Sequence, residues 1–318
     1  MESKKSLKLL FTQINKYIVN SKELYGAKMS EQIKNQSNPL SAYFRAPKMY
    51  MSLPSGAKYY DDDICDKPEN GEFAVYPMTT KDEMMLKNPD ALLNGEAVSN
   101  LIKSCVPQVK DPIKLLSADV DAILIAIRGA SAGDDVEVNA ECPKCKETSH
   151  VVVSIDSSLS SMESIEDAYS KDLNNGLGIK VLPFTYGNTI KAGIASFQST
   201  RSMQAISELD DDMERLKAFN SSFVQLADLN FEMMIDSIAS VAFTDADGQV
   251  VNVSERSAIR EFLENTDNTT GKEIEKFVNE VNTKGVKQDI RIECQNEKCD
   301  NVFDTPINFD PVNFFTDS

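Results

Sequence analysis

Two short cysteine pairs, Cys142-Pro-Lys-Cys145 and Cys294-Gln-Asn-Glu-Lys-Cys299, are the residues of this chain whose type and spacing could do chemistry. Together they offer four thiolates. Four thiolates satisfy a tetrahedral zinc ion and leave no position open for water, so a site built from Cys142, Cys145, Cys294 and Cys299 would be structural rather than catalytic. The C-x2-C knuckle is a common zinc half-site, whereas C-x4-C is permitted but rarer, and about 150 residues separate the halves. Free thiols in tight turns and disulfides are the alternatives. Disulfides are the weaker of the two, because no secretory signal is visible and intracellular thiols stay reduced.

The remaining candidates are weaker. His150, the only histidine, follows the first pair and could stand in for a cysteine ligand; with four cysteines present it is expected on a strand instead. Cys65 and Cys105 have no partner close in sequence, and Cys105 within Leu101-Ile-Lys-Ser-Cys-Val reads as a small buried apolar residue. Asp245-Ala-Asp-Gly-Gln begins like a calcium loop, but the twelfth position is Arg256 rather than glutamate, so it reads as a turn. Asp61-Asp-Asp and Asp210-Asp-Asp read as solvated surface. One histidine and no glycine-rich phosphate loop leave no nucleophilic or phosphoryl-transfer constellation, so no enzyme is expected.

The cysteine pairs need strands to present them. The first lies between Asp135-Val-Glu-Val-Asn-Ala-Glu and His150-Val-Val-Val-Ser-Ile, the second between Ile290-Arg-Ile-Glu and Val302-Phe-Asp-Thr-Pro-Ile; these runs alternate apolar and polar residues as half-buried strands do. If both hairpins close on one zinc, the segment between them must begin and end at the same place.

Elsewhere the pattern is mostly helical. Met49-Tyr-Met-Ser-Leu and Ala57-Lys-Tyr-Tyr, separated by Pro54-Ser-Gly, predict a hairpin, with Phe73-Ala-Val-Tyr-Pro as a third strand. Thr80-Lys-Asp-Glu83 predicts a capping box opening a helix that ends near Asn88-Pro89. Helices are expected at Ala97–Cys105 and Ala118–Ala132, the latter stopped by Gly133, and its run Ala122-Ile-Leu-Ile-Ala-Ile is too short to cross a bilayer and reads as buried. A strand at Leu177–Phe184 is followed by expected helices at Tyr186–Thr200, Met203–Phe219, Ser222–Ala242, Ser254–Glu264 and Gly271–Thr283, with a short strand at Gln249–Val253. The expected class is α+β: a mostly helical body with short antiparallel hairpins and a split zinc-ribbon-like module carrying a helical insertion. The corresponding domains are a basic helix and linker at 1–40, a hairpin-plus-helix region at 41–135, the first cysteine hairpin at 136–155, an acidic helical insertion at 156–285, and the second hairpin with the tail at 286–318.

Charge narrows the partners. The 318 residues carry a net charge of −17, which argues against general binding to phosphate backbones. The segment Met1–Lys34 is the exception, with seven lysines against three glutamates and an apolar stripe of Leu7, Leu10, Phe11, Ile14, Tyr17 and Ile18. Such a helix suits a membrane surface, an acidic partner protein or the chain's own acidic body.

Tyr76-Pro-Met-Thr-Thr-Lys-Asp-Glu, Leu101-Ile-Lys-Ser-Cys-Val, Ala122-Ile-Leu-Ile-Ala-Ile-Arg-Gly-Ala-Ser and Cys142-Pro-Lys-Cys145, in that order, resemble the T4-type tailed-phage baseplate hub proteins. The likeness covers Phe73 to Ile155, with a fainter echo in Ile179-Lys-Val-Leu-Pro-Phe-Thr-Tyr; the four-residue gap in the second cysteine pair departs from the tighter knuckle of the pattern. The resemblance implies a non-enzymatic structural role at the centre of a contractile tail baseplate, as virion component or hub-assembly factor. The implied partners are other baseplate or tail-tube proteins, with room for self-association in a symmetric assembly, and with no nucleic acid and no membrane span. Assembly in the host cytoplasm follows from the same resemblance. A zinc-ribbon nucleic-acid-binding protein is the alternative, favoured by the cysteines and disfavoured by the charge.

Overall fold

A computed structural model describes residues 38, 40–166, 169–207, 211–284 and 289–306. The expected basic helix at 1–34 and the tail beyond 306 lie outside the described residues. The chain divides into a unit ending at Arg45 and a unit beginning at Ala46. In the first, the described residues form a single 3-10 turn at Ser41–Tyr43, closed by the Phe44 amide on the Ser41 carbonyl at 3.1 Å.

The first core of the second unit forms around one helix whose sequence is apolar on every side. In α4 (Ser117–Ala132), Val120, Ala122, Ile123, Leu124, Ile125, Ala126 and Ile127 are all buried, as expected of a helix without a polar face. Gly133 ends it at a φ of 102°, which an L side chain rarely adopts. Strands β1 (Met49–Met51) and β2 (Phe73–Val75) pair antiparallel beside it, Met49 opposite Val75. The hairpin expected between 49–53 and 57–60 does not form. Instead the Ser55 amide and hydroxyl and the Tyr60 hydroxyl all donate to the buried Asp119 carboxylate on α4, and the Leu116 amide donates to the Tyr60 oxygen at 2.9 Å. This polar knot winds residues 54–59 into turns over the helix, so β1 pairs with β2 instead.

Three short helices close the core: α1 (Thr80–Leu86), α2 (Pro89–Leu93) and α3 (Glu96–Cys105). The capping box lies one residue earlier than expected. Thr79 accepts from the Asp82 amide, and the Asp82 carboxylate accepts from the Thr79 amide at 2.8 Å. Ser104 on α3 also donates to Asp82 at 3.1 Å, so packing between the helices selects the Thr79 register over the Thr80 one. Asn88-Pro89, expected only to end a helix, also starts one: the Asn88 side chain accepts from the Asp90 and Ala91 amides, and proline sits where no amide hydrogen is needed.

The short helix α5 (Ile155–Ser160) and Ile165 still pack in the first core; the second core is built from residues between Leu173 and Val281. Strands β5 (Tyr169–Asp172), β6 (Gly178–Val181), β7 (Ile238–Thr244) and β8 (Val250–Val253) form an antiparallel sheet in that order. Between β6 and β7 run two long helices packed on each other, α6 (Tyr186–Ser207) and α7 (Asp212–Ser237). After the sheet come α8 (Arg256–Asn265) and α9 (Asn268–Asn282), whose Ile259, Leu263, Ile274 and Val278 bury against Ile179, Val181 and Val241. Glu232 on α7 accepts from both terminal nitrogens of Arg260 at 2.5 and 2.6 Å and from Arg256 at 2.9 Å, clamping α7 to α8.

The chain departs from the expected helical pattern at two places. The helix read at 203–219 is divided, Met203–Ser207 ending α6 and the rest from Asp212 running on through the next expected helix as α7, which stops at Ser237 rather than 242. There the Ser237 hydroxyl donates to the Leu182 carbonyl at 2.5 Å and the Leu182 amide to the Ser237 carbonyl at 2.8 Å, turning the chain onto β6. Ile238 and Val241, within the span expected as helix, lie on β7 opposite Val181 and Ile179. The insertion is therefore mixed rather than helical. The α+β class holds: the described residues contain nine α-helices, three two-stranded sheets and one four-stranded sheet, all antiparallel.

Candidate metal centre

The first cysteine pair is presented by β3 (Asp135–Glu141) and β4 (Thr148–Ser154), with Glu141 opposite Thr148 at the turn. The Cys142 amide donates to the Glu147 carbonyl at 2.9 Å and the Lys146 amide to the Cys142 carbonyl at 2.9 Å. Lys146 takes a φ of 63°, so the knuckle curls back on itself and both sulfurs face one side. The second pair is presented by β9 (Asp289–Glu293) and β10 (Val302–Pro306), with Glu293 opposite Val302. Here the Cys294 amide donates to the Asn301 carbonyl and the Cys299 amide to the Asn296 carbonyl, at 2.9 and 2.8 Å. The longer C-x4-C spacing is thus absorbed by an extra turn within an otherwise regular hairpin.

The two hairpins are fastened to each other. Gln295 uses its backbone amide on the Ser149 hydroxyl at 3.2 Å, its side-chain amide on the His150 carbonyl at 2.7 Å, and its side-chain oxygen on the His150 amide at 3.1 Å. One residue next to a cysteine therefore makes three bonds to the opposite hairpin. At the far side of the insertion Lys284 meets Glu163 at 3.6 Å, so both ends of the intervening segment return to one place, as a shared site requires.

This brings all four cysteines together. Their sulfurs lie within 4.8 Å of one another, with Cys142 to Cys299 at 3.9 Å and Cys145 to Cys294 at 3.5 Å. Zinc–thiolate bonds of about 2.3 Å in a tetrahedron imply sulfur–sulfur edges of about 3.8 Å, which the two distances bracket. A disulfide needs about 2.05 Å, and none of the six cysteines forms one. The residues present therefore fit a four-coordinate metal ion of zinc size. Asn301 adds an amide donor to the Cys142 sulfur at 3.4 Å, the kind of outer contact that orients a ligand.

Electrostatics follow from the crowding. Cys142 is lowered to about 6: burial raises it, but hydrogen bonds from the Cys145 and Lys144 amides and the Asn301 side chain outweigh that cost. Cys294 is pushed up to about 12: the Asn296 amide lowers it, while burial and the neighbouring Cys145 and Cys142 sulfurs drive it up. Burial and the Cys145 sulfur raise Cys299 as well. Four thiols at this spacing hold one negative charge readily and resist the next. A divalent cation at their centre removes that conflict.

The other sequence candidates fall elsewhere. His150 lies on β4 with its ring nitrogen on Asn139 at 2.5 Å, outside the sulfur group. Cys65 and Cys105 are buried in the first core. Asp245 closes the β7–β8 turn by accepting from the Asp247 and Gln249 amides, at 3.0 and 2.8 Å. Within 61–63, Asp63 meets Lys114 at 3.6 Å and the Asp62 carbonyl accepts from Lys110 at 2.7 Å. Sequence reasoning missed Gln295 and Asn301. The signal available was only that polar residues flank the second pair.

The loops around the sulfurs carry Glu141, Glu147, Glu293, Glu297 and Asp300 against Lys144, Lys146 and Lys298. That is a net negative rim, around a site that keeps a negative charge when four thiolates bind a divalent ion. No curated protein and no solved structure matches the chain significantly. The model of one family does, over residues 47–316, a span that contains both cores and both cysteine pairs. On that match, which covers most of its length, the chain belongs to the T4 bacteriophage base plate protein family.

Proposed function

We propose that this baseplate protein is a non-enzymatic component of the hub region of a contractile phage tail, either retained in the virion or acting as a hub-assembly factor. It works by protein–protein contact with other baseplate or tail-tube proteins. The observation that carries the reading is the family match, which spans the split cysteine site from end to end. In this reading Cys142, Cys145, Cys294 and Cys299 hold one structural zinc. The ion staples the two hairpins and so closes the 156–285 insertion onto the body. Four protein ligands leave no place for a substrate, which agrees with a non-enzymatic role.

The test is quantitative mass spectrometry of purified particles and of tail-assembly intermediates, combined with metal analysis of the isolated chain. A defined copy number in finished particles supports a virion component. Presence only in intermediates supports an assembly factor. Absence from both, together with salt-dependent retention on duplex or single-stranded DNA, would replace the reading with a nucleic-acid-binding one.

A further inference from the structure

The metal centre holds two kinds of sulfur. Each hairpin contributes one buried cysteine, Cys142 or Cys299, and one half-exposed cysteine, Cys145 or Cys294. The sulfurs pair across the hairpins by the same division: the half-exposed two lie 3.5 Å apart and the buried two 3.9 Å apart. Asn301 donates to the Cys142 sulfur on the buried side. A solute in water therefore meets Cys145 and Cys294 first, and meets them already facing each other.

This pairing decides what oxidation does, because the susceptibility of a thiolate follows its exposure. When hydrogen peroxide reaches either half-exposed thiolate, the sulfur attacks one peroxide oxygen and breaks the O–O bond, giving a sulfenic acid and a hydroxide. The facing sulfur then attacks the sulfenic sulfur, forms the S–S bond and expels the second hydroxide. Each hydroxide takes up a proton and leaves as water. The two sulfurs have lost one electron pair and the peroxide has gained it. The two thiolates that remain hold a divalent ion less well than four do; they take up protons and release it. A disulfide within one knuckle would leave the hairpins joined by neither metal nor covalent bond. One between Cys145 and Cys294 crosses from hairpin to hairpin, over a separation of 149 residues in the chain. Gln295, next to Cys294, keeps that register through its bonds to Ser149 and His150, none of which involves a sulfur.

We propose that Cys145 and Cys294 form a redox-modification site, which under peroxide exchanges the metal staple for an inter-hairpin disulfide and leaves the insertion closed onto the body. The proposal rests on the structural-zinc reading. On that reading a chain made in a reducing cytoplasm and carried outside the cell in a particle enters an oxidising environment, where a disulfide persists.

Peptide mapping of the full chain tests it. Reduced protein purified without chelator is assayed first for zinc, then treated with one equivalent of hydrogen peroxide beside a chromogenic chelator, alkylated, and digested with trypsin without reduction. Cleavage after Lys144, Lys146, Arg291 and Lys298 places the four cysteines on four different peptides, so every pairing is distinguishable. The peptide joining Cys145 to Cys294 should exceed all other pairings together at least about tenfold. Metal should appear in step with that peptide. The oxidised protein should melt within about 5 °C of the metal-bound form, whereas reduced, chelated protein melts lower. Dithiothreitol with zinc should reverse the change. A main product joining Cys142 to Cys145 or Cys294 to Cys299 overturns the proposal. So do sulfinic acids in place of a disulfide, metal that stays bound, or oxidised protein that melts with the chelated form. Reduced protein without zinc removes the metal reading and with it the exchange, a failure that the zinc assay registers before any peroxide is added.

Discussion

The sulfurs of Cys142 and Cys299 lie 3.9 Å apart although 157 residues separate them in the chain. A contact of that sequence separation makes the two hairpins and everything between them one cooperative unit. Loop-closure entropy grows only logarithmically with length, so the separation is little obstacle to forming it. Isolated two-stranded hairpins are marginal in water, and each of these gains its neighbour through Gln295 and the sulfur cluster.

Replacing Cys142 or Cys299 by serine should release metal and lower the melting temperature by similar amounts. The double substitution should cost little more than either single one, because both break the same site. Metal analysis of protein purified without chelator should give close to one zinc per chain. Unchanged melting after exhaustive chelation, or additive losses from the two substitutions, would contradict a shared structural site.

Asp119 should show itself in the pH dependence of stability. Burial raises its pKa above the ordinary carboxylate value, with the bonds from Ser55 and Tyr60 opposing in part. The folded state therefore holds this proton more tightly than the unfolded one. Its stabilising contribution is complete below the ordinary carboxylate pKa and is lost as pH rises through the raised value. Melting temperatures of Asp119→Asn and wild type measured against pH should accordingly diverge, the wild type losing ground as pH increases. Asp119→Ala should cost about 2–4 kcal/mol at acidic pH, where the wild-type contribution is complete, and less as pH rises, since it orphans the Ser55 amide and the Tyr60 hydroxyl but also removes the titrating group. Parallel pH curves for wild type and Asp119→Asn would refute the assignment.

Gly95 joins α2 to α3 at a φ of 74°, and a methyl group there would sit 2.2 Å from the Ile190 Cδ1 atom on α6. Gly95→Ala should destabilise by about 2–3 kcal/mol, of which about 1 kcal/mol is the left-handed backbone and the rest the clash. Adding Ile190→Ala should recover only the steric part relative to Ile190→Ala alone. Denaturant titration of the four proteins in the cycle separates the two contributions.

Ile125 is fully buried in α4. Ile125→Ala should cost roughly 2–5 kcal/mol in urea unfolding, the range for removing a large aliphatic side chain from a well-packed core. A loss below about 0.5 kcal/mol would place the helix outside the cooperative core.

What the sequence determined by itself is local. The four cysteines, the alternating runs beside them, the helix expected at 118–132 with its apolar run 122–127, and its glycine stop could be read because each is written in neighbouring residues at a fixed period. The tertiary structure decided the rest, through residues far apart. Ser55 and Tyr60 bend away from a hairpin because Asp119, about 60 residues on, needs donors once buried. Thr79 beats Thr80 as a cap because Ser104 reaches Asp82. Ile238 to Thr244 leaves the helical pattern because an uncapped strand edge at β6 can be completed only by a segment with free backbone groups, and burial of Ile238 and Val241 is served equally by a helix or a strand until that edge is present. The metal centre divides along the same line: the donor atoms are visible in the sequence, but their convergence depends on Gln295 and Asn301, whose bonds to Ser149, His150 and Cys142 cross about 150 residues of chain.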